Sequence, residues 1–224
     1  MHPRILNLTI NRPVYYPEQF LKSAFSIGVF VLIGACLFVQ QSQAAADSPR
    51  IFVEKVFEEL AVEFRSFDTT PSARQIEVLF AEKLSPHIDY PGLARWTLRE
   101  HWTNSEELQR SAFLVALQKH LLKTYAAALA FDKSTSLNLD QDIKSGKRLT
   151  QVSGTVSTAS SSNTDILFRL VGNDGRWQIF DVGVHGISVA KTLRADIAAI
   201  AGHGGIDAVT AALTTGDFRL ISQR

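Results

Sequence analysis

The sequence predicts a single α+β domain in which helices cover a curved antiparallel sheet of four strands. Apolar residues recur at helical spacing from residue 53 to about residue 131, alternate at strand spacing from 137 to 184, and return to helical spacing after Gly186. Helices and strands are therefore segregated along the chain, which favours an α+β architecture over alternating α/β units. Neither an internal repeat nor a long linker divides the chain.

The N-terminal segment has the order of a secretory signal peptide. Three basic side chains precede an apolar run from Ala24 to Val39, and Ala44–Ala46 supply the small residues that a signal peptidase needs. The run is shorter than the roughly 20 residues that span a bilayer as a helix. We therefore expect residues 1–46 to be removed, leaving one mature domain of residues 47–224. An uncleaved anchor and a lipoprotein signal at Cys36 are the alternatives.

Charge and cysteine content exclude several classes of protein. The chain has 23 Lys and Arg against 22 Asp and Glu, so no basic excess is available to neutralise nucleic-acid phosphates. One cysteine supports neither a disulfide framework nor a cysteine-rich metal site. We expect no nucleic-acid partner and no cofactor.

Start and stop signals delimit the helices that precede the sheet. Ser48-Pro49 and Thr70-Pro71 each pair a cap residue with proline at the first helical position, and the second helix stops at Ser85-Pro86. A short third helix follows. The spacing of Thr103–Glu106 is that of a capping box, and it predicts the start of the longest helix, which ends near Phe131.

A change in the spacing of the apolar residues predicts the strands and then the last helix. Ser188 is interpreted as the cap of a helix that begins at Val189, and the glycines of Gly202–Gly205 predict a break in it. Ser188 and Lys191 also match the SxxK spacing of a serine nucleophile with its lysine base, but the companion KTG element is missing. The four candidate strands are Leu137–Leu139, Thr150–Ala159, Ile166–Leu170 and Trp177–Val184.

Three segments resemble the MlaC family, also called the toluene-tolerance auxiliary family. They are Asp89–Trp96, Arg176–Ser188 and Gly204–Leu213, of which the second, RWQIFDVGVHGIS, is the most specific. The resemblance implies a cystatin/NTF2-like sheet with a deep apolar pocket and a periplasmic phospholipid carrier that is not an enzyme. It also implies a monomer that exchanges lipid with an inner-membrane ABC transporter complex and an outer-membrane lipoprotein complex. Proteins from hopanoid gene clusters share much of the second segment, so a hopanoid is the alternative cargo.

Large apolar side chains of the helices and strands are the candidates for the pocket lining. Helices and a curved sheet commonly enclose such a cavity for an apolar ligand. The predicted lipid-binding residues are Val56, Leu60, Phe64, Phe113, Leu117, Tyr125, Val152, Ile166, Phe168, Leu170, Ile187 and Val189.

Two rival classes of function remain open on the sequence. The first is a small enzyme on a similar sheet with a buried general base, for which Asp165, Asp181 and His185 are the candidates. The second is an adaptor whose apolar residues form an ordinary core. In the carrier, Asp181 has a structural role, accepting backbone N–H bonds at the turn into Gly186.

Overall fold

The computed structural model describes residues 48–128, 134–159, 163–173 and 175–218. The predicted signal peptide and the predicted end of the longest helix near Phe131 lie outside these described residues. The order of elements is helices, strands, helix, which confirms the α+β prediction.

Helix α1 spans Pro49–Ser66 and begins where the Ser-Pro signal predicts it. The Ser48 hydroxyl accepts a hydrogen bond from the N–H of Ile51 at 3.2 Å, which caps the first turn. Its buried stripe follows helical spacing, so one face of the helix packs inward. The buried residues of this face are Val53, Val56, Leu60, Ala61 and Phe64.

Helix α2 spans Ala73–Leu79, and its start corrects the sequence prediction. The cap is Ser72 and not Thr70, because Ser72 and Gln75 form a reciprocal capping box. A π-helical turn over Phe80–Leu84 and a 3₁₀ turn over Ser85–His87 then end this helical stretch near the predicted stop.

Three further helices precede the sheet: α3 spans Tyr90–Leu98, α4 Glu100–Thr103 and α5 Glu107–Ala128. The predicted capping box over 103–106 is wrong, because Thr103 closes α4 instead of opening α5. The N–H of Glu106 donates to the Gln109 side chain at 2.9 Å, so the local cap starts three residues later.

The sheet has five antiparallel strands in sequential order, so the prediction of four is wrong by one short strand. Strand β5 arises because Ile187 and Ser188 fold back onto Val184 and Gly183 at the end of β4. The strands are β1 Ser136–Ser145, β2 Thr150–Ser157, β3 Thr164–Asn173, β4 Arg176–Val184 and β5 Ile187–Ser188.

A bulge in β4 decides which side chains face each side of the sheet. Asp181 pairs with Arg169, but the next pair is Ile179 with Leu170, so β4 holds one extra residue at Phe180. An extra residue interrupts the alternation of side chains along a strand. Phe180 and Asp181 consequently point to the same side.

Helix α6 spans Val189–Thr215 and closes the fold. The Ser188 hydroxyl accepts from the N–H of Lys191 at 3.1 Å, which confirms the predicted cap. The predicted break is also present, since Gly204 and Gly205 leave helical geometry and Gly205 has a φ of +63°. A positive φ of this kind favours glycine. By length and hydropathy α6 could cross a membrane, yet its buried residues form the main hydrophobic core with α3 and α5.

Candidate functional site

An apolar cavity of about 260 Å³ lies between α1, the π-helical turn and one face of the sheet. Its side chains come from α1, from the turns that follow α2 and from the strands, which lie far apart in the sequence, so only the folded protein assembles them. Thirteen of the sixteen lining residues are apolar and three are threonines. The lining is Val53, Val56, Phe57, Leu60, Phe80, Leu84, Ile88, Thr135, Val156, Thr158, Thr164, Ile166, Phe168, Ile179, Val182 and Val184.

Strand register explains why one sheet face is so apolar. Val152 lies opposite Phe168, Gly154 opposite Ile166 and Val156 opposite Thr164, so successive pairs are two residues apart on each strand. Side chains at that spacing share a face. Between them Gly154 takes the same face, where an added Cβ would lie 2.3 Å from the backbone oxygen of Asn138. Close approach of β1 therefore requires glycine at this position.

The polar part of the lining is confined to one end of the cavity. Thr135 precedes β1, Thr158 follows β2 and Thr164 begins β3, and the register places these three strand ends together. The opposite end, near Leu84 and Ile179, is lined by apolar side chains. None of the described lining residues carries a titratable side chain, so the cavity offers shape and apolar surface rather than acid or base chemistry.

Four of the twelve predicted lipid-binding residues line this cavity: Val56, Leu60, Ile166 and Phe168. Val152 and Leu170 are fully buried in the core cluster beside it. Phe64 is buried in a neighbouring cluster, with its ring centre 6.2 Å from that of Phe80.

The remaining five predicted residues lie elsewhere. Phe113 and Leu117 are fully buried in the core formed by the helices, and Tyr125 packs against it. Ile187 is 64% exposed, and Val189 is partly exposed at the start of α6. A role for any of the twelve in lipid binding stays a prediction.

Sequence reasoning missed the contribution of β4 to the cavity. Ile179 and Val182 both line it although they are three residues apart, because the bulge at Phe180 resets the alternation. Leu84 was also missed, since the π-helical turn departs from regular helical spacing. Ile88 was missed because a bridge to the distant Ile179 brings it to the cavity. Phe57 and Val53, in contrast, adjoin the predicted stripe of α1 and were within reach of its periodicity.

The three candidates for a general base occupy positions outside the cavity lining. Asp165 and His185 are exposed, and the His185 N–H donates to the Asp165 backbone oxygen at 3.0 Å. Asp181 is buried and accepts hydrogen bonds from Arg169 at 2.5 Å, from the Ser188 hydroxyl at 2.6 Å and from the Ala190 N–H at 2.8 Å.

These contacts refine the structural role predicted for Asp181. It does accept a backbone N–H bond, but at the first turn of α6 instead of the turn into Gly186. One carboxylate thereby joins β3, β4 and the start of α6. Burial raises the pKa of the nearby Tyr125 hydroxyl, and the charges of Asp196 and Asp181 raise that pKa further.

Fold and cavity together define a class, the α+β proteins with an apolar cavity between a helix and an open antiparallel sheet. The MlaC protein family matches residues 52–215 of the chain. The chain belongs to the MlaC family, which confirms the resemblance seen in the sequence.

A solved structure shares the fold. It is a phospholipid-binding protein from Ralstonia solanacearum in complex with a phospholipid, and it superposes with a TM-score of 0.66 at 15% sequence identity. The match covers 74% of this chain and 96% of the Ralstonia chain.

Proposed function

We propose that this protein is a periplasmic carrier that holds the acyl chains of a phospholipid in the cavity between α1 and the sheet. The observation that carries the proposal is the lining itself, thirteen apolar side chains with threonines at one end only. Membership of the MlaC family and the phospholipid bound to the Ralstonia solanacearum protein support the same cargo.

The energetics favour an enclosed apolar site over a surface contact. Each CH₂ group removed from water contributes about 0.8 kcal/mol, so two acyl chains contribute on the order of 25 kcal/mol before ordering costs. A free phospholipid therefore crosses an aqueous compartment too slowly to be useful, and a carrier has to hide both chains.

The size of the cavity adds a requirement. Its volume of about 260 Å³ lies below the range of about 300 to 1,000 Å³ that is typical of sites for drug-sized ligands. A two-chain phospholipid is larger than such ligands. We therefore expect the cavity to widen between α1 and the sheet when lipid enters, with the headgroup beside the threonines.

The proposed cellular role follows from family membership. After export and removal of its signal peptide, the carrier would shuttle lipid between an outer-membrane lipoprotein complex and an inner-membrane ABC transporter complex. Such exchange maintains the lipid asymmetry of the outer membrane. A monomer suits the role, because one cavity with one polar end serves both membranes in turn.

Native mass spectrometry of protein purified without detergent from cells that express the full chain tests this proposal. We expect a one-to-one adduct whose mass, after organic extraction, is that of a phospholipid. Release of a hopanoid would change the proposed cargo and would still support a carrier function. A mass without adduct, unchanged after incubation with phospholipid vesicles, would refute the carrier.

A matched pair of variants localises the site. Phe168→Asp places a carboxylate in the cavity lining, where an unpaired charge is costly and an acyl chain cannot lie against it. Val115→Asp makes a similar change on α5 at a side chain that is 68% exposed. We expect the first variant to lose the adduct and the second to keep it. Loss of the lipid adduct in both variants, or in neither, would contradict the assignment of this cavity as the lipid-binding site.

A further inference from the structure

The three threonines of the cavity lining form what we call the threonine rim, defined as Thr135, Thr158 and Thr164. Thr164 pairs with Val156, and Thr158 follows Val156 by two residues. Thr135 lies one residue before β1 and Thr158 one residue after β2, so the antiparallel register places these two across from each other. Three hydroxyl-bearing side chains from neighbouring strand ends therefore lie together at one end of the cavity.

A side-chain hydrogen bond fixes the spacing within the rim. The Ser157 hydroxyl donates to the Asn163 side-chain oxygen at 2.7 Å, which joins the residue before Thr158 to the residue before Thr164. Asn163 has a φ of +38°, a conformation that asparagine tolerates better than most residues. The bond holds the end of β2 to the start of β3, so the two threonines keep their relative positions.

The rim lies at the open end of the cavity. Thr158 and Thr164 are partly exposed, and their neighbours Ala159 and Asn163 are exposed. At the opposite end Val53 and Ile179 are buried and belong to a core cluster. An acyl chain that fills the cavity therefore has its methyl end among buried side chains and its polar end at the rim.

The rim offers neutral hydrogen-bond donors and no charge. None of the described lining residues is titratable, and Asp165 lies between Thr164 and Ile166 on β3, so its side chain points to the other face of the sheet. Proteins commonly bind phosphate through arginine, lysine or a helix N-terminus. A threonine hydroxyl is a neutral donor, so the composition of the rim favours a neutral acceptor on the ligand.

We propose that the threonine rim donates hydrogen bonds to the ester carbonyl oxygens of the bound lipid and thereby selects ester-linked acyl chains over ether-linked alkyl chains. This inference rests on the proposed function. The ester carbonyl is the first polar group beyond the hydrocarbon chain, so it reaches the rim when the chain fills the apolar part. A carbonyl removed from water without a donor is costly, and threonines are the only polar side chains in the described lining.

Two lipids that differ only at the carbonyls test this inference. Diacyl and dialkyl phosphatidylcholine of equal chain length share the phosphate and the headgroup, but the dialkyl lipid has ether oxygens in place of ester groups. Protein from cells that express the full chain is incubated with vesicles that hold equal amounts of both lipids and is then re-isolated. Mass spectrometry of the extracted lipid measures the bound ratio. We expect at least about fivefold preference for the diacyl lipid, the factor for one typical hydrogen bond.

Replacing rim hydroxyls by methyl groups assigns this preference to the rim. Thr158→Val with Thr164→Val removes two hydroxyls and keeps the branched shape of both side chains. Thr155→Val is the matched control, because it makes the same change on the other face of β2. We expect the ratio to fall below about twofold in the double variant and to stay at the wild-type value in the control. Circular dichroism melts show whether each variant folds, and the single variants serve if the double variant does not.

Three results would overturn the inference. Equal uptake of the two lipids by the wild-type protein would show that the carbonyls are not recognised, while the proposed carrier would stand. Equal loss of both lipids in the double variant, with an unchanged ratio, would assign the hydroxyls to the phosphate that both lipids share. Uptake of neither lipid would refute the proposed function and this inference with it.

Discussion

Replacement of Asp181 by alanine is expected to destabilise the protein more than any change of an exposed carboxylate. Asp181 is 5% exposed and its carboxylate accepts three hydrogen bonds, from Arg169, Ser188 and Ala190. The alanine variant leaves all three donors without this acceptor. The Arg169 side chain is 21% exposed, so water compensates for part of its loss.

The magnitude follows from these contacts. Removing one partner of a buried ion pair typically costs about 3 to 5 kcal/mol. Because Arg169 retains access to water, we expect a loss near the lower end, about 3 kcal/mol. Asp181→Asn keeps an oxygen for the Ala190 N–H but loses the charge, so about 1 to 2 kcal/mol is expected.

Equilibrium urea unfolding measures both losses, with Asp165→Ala as the matched control. Asp165 is exposed on β3, so its replacement is expected to change the free energy of unfolding by less than about 0.5 kcal/mol. A loss below about 1 kcal/mol for Asp181→Ala would refute the assignment of Asp181 as the link between the sheet and α6. So would a loss for Asp165→Ala as large as that for Asp181→Ala.

Three further predictions concern pH, close packing and capping. Burial and the charge of Lys123 lower the pKa of His120, so the stability linked to this histidine is complete above its unfolded pKa of about 6.5. That stability is lost as pH falls below about 6.5 and through the lowered folded pKa, and a shallower decline below about pH 6.5 is expected for His120→Gln in urea titrations. Gly154→Ala places its Cβ against the Asn138 backbone, which is expected to cost about 1 to 3 kcal/mol and lower the Tm, and an unchanged Tm would contradict the close approach. Ser72→Ala removes half of a capping box, and a decrease of about 1 kcal/mol in the free energy of unfolding by urea is expected.

Local chemistry made much of the fold predictable from the sequence. Ser48 and Ser188 cap α1 and α6 as expected, because a cap bond joins residues three apart and needs no distant partner. The predicted start of α2 at Thr70 was wrong because two cap signals stand side by side. Only the fold shows that Ser72 and Gln75 complete the box.

The cavity was predictable only in part, because periodicity shows that a side chain is buried but not in which interior. Leu60 and Leu117 both follow a clear helical period, yet Leu60 lines the cavity and Leu117 lies in the core of the helices. In the described part of the chain, the cavity and the core of the helices are separate apolar interiors. Assigning a residue to the cavity or to the core requires knowledge of how elements that are distant in the sequence pack together.

The bulge in β4 has a consequence for how the cargo preference of such a protein can diverge. Ile179 and Val182 face the cavity, whereas Phe180 and Asp181 between them hold α3 and α6. A substitution at either cavity position alters the space for a ligand and leaves both attachments of the helices in place. One strand thus carries positions that line the cavity beside positions that attach two helices, so in the proposed carrier a single substitution can change the shape of the cavity without removing either attachment.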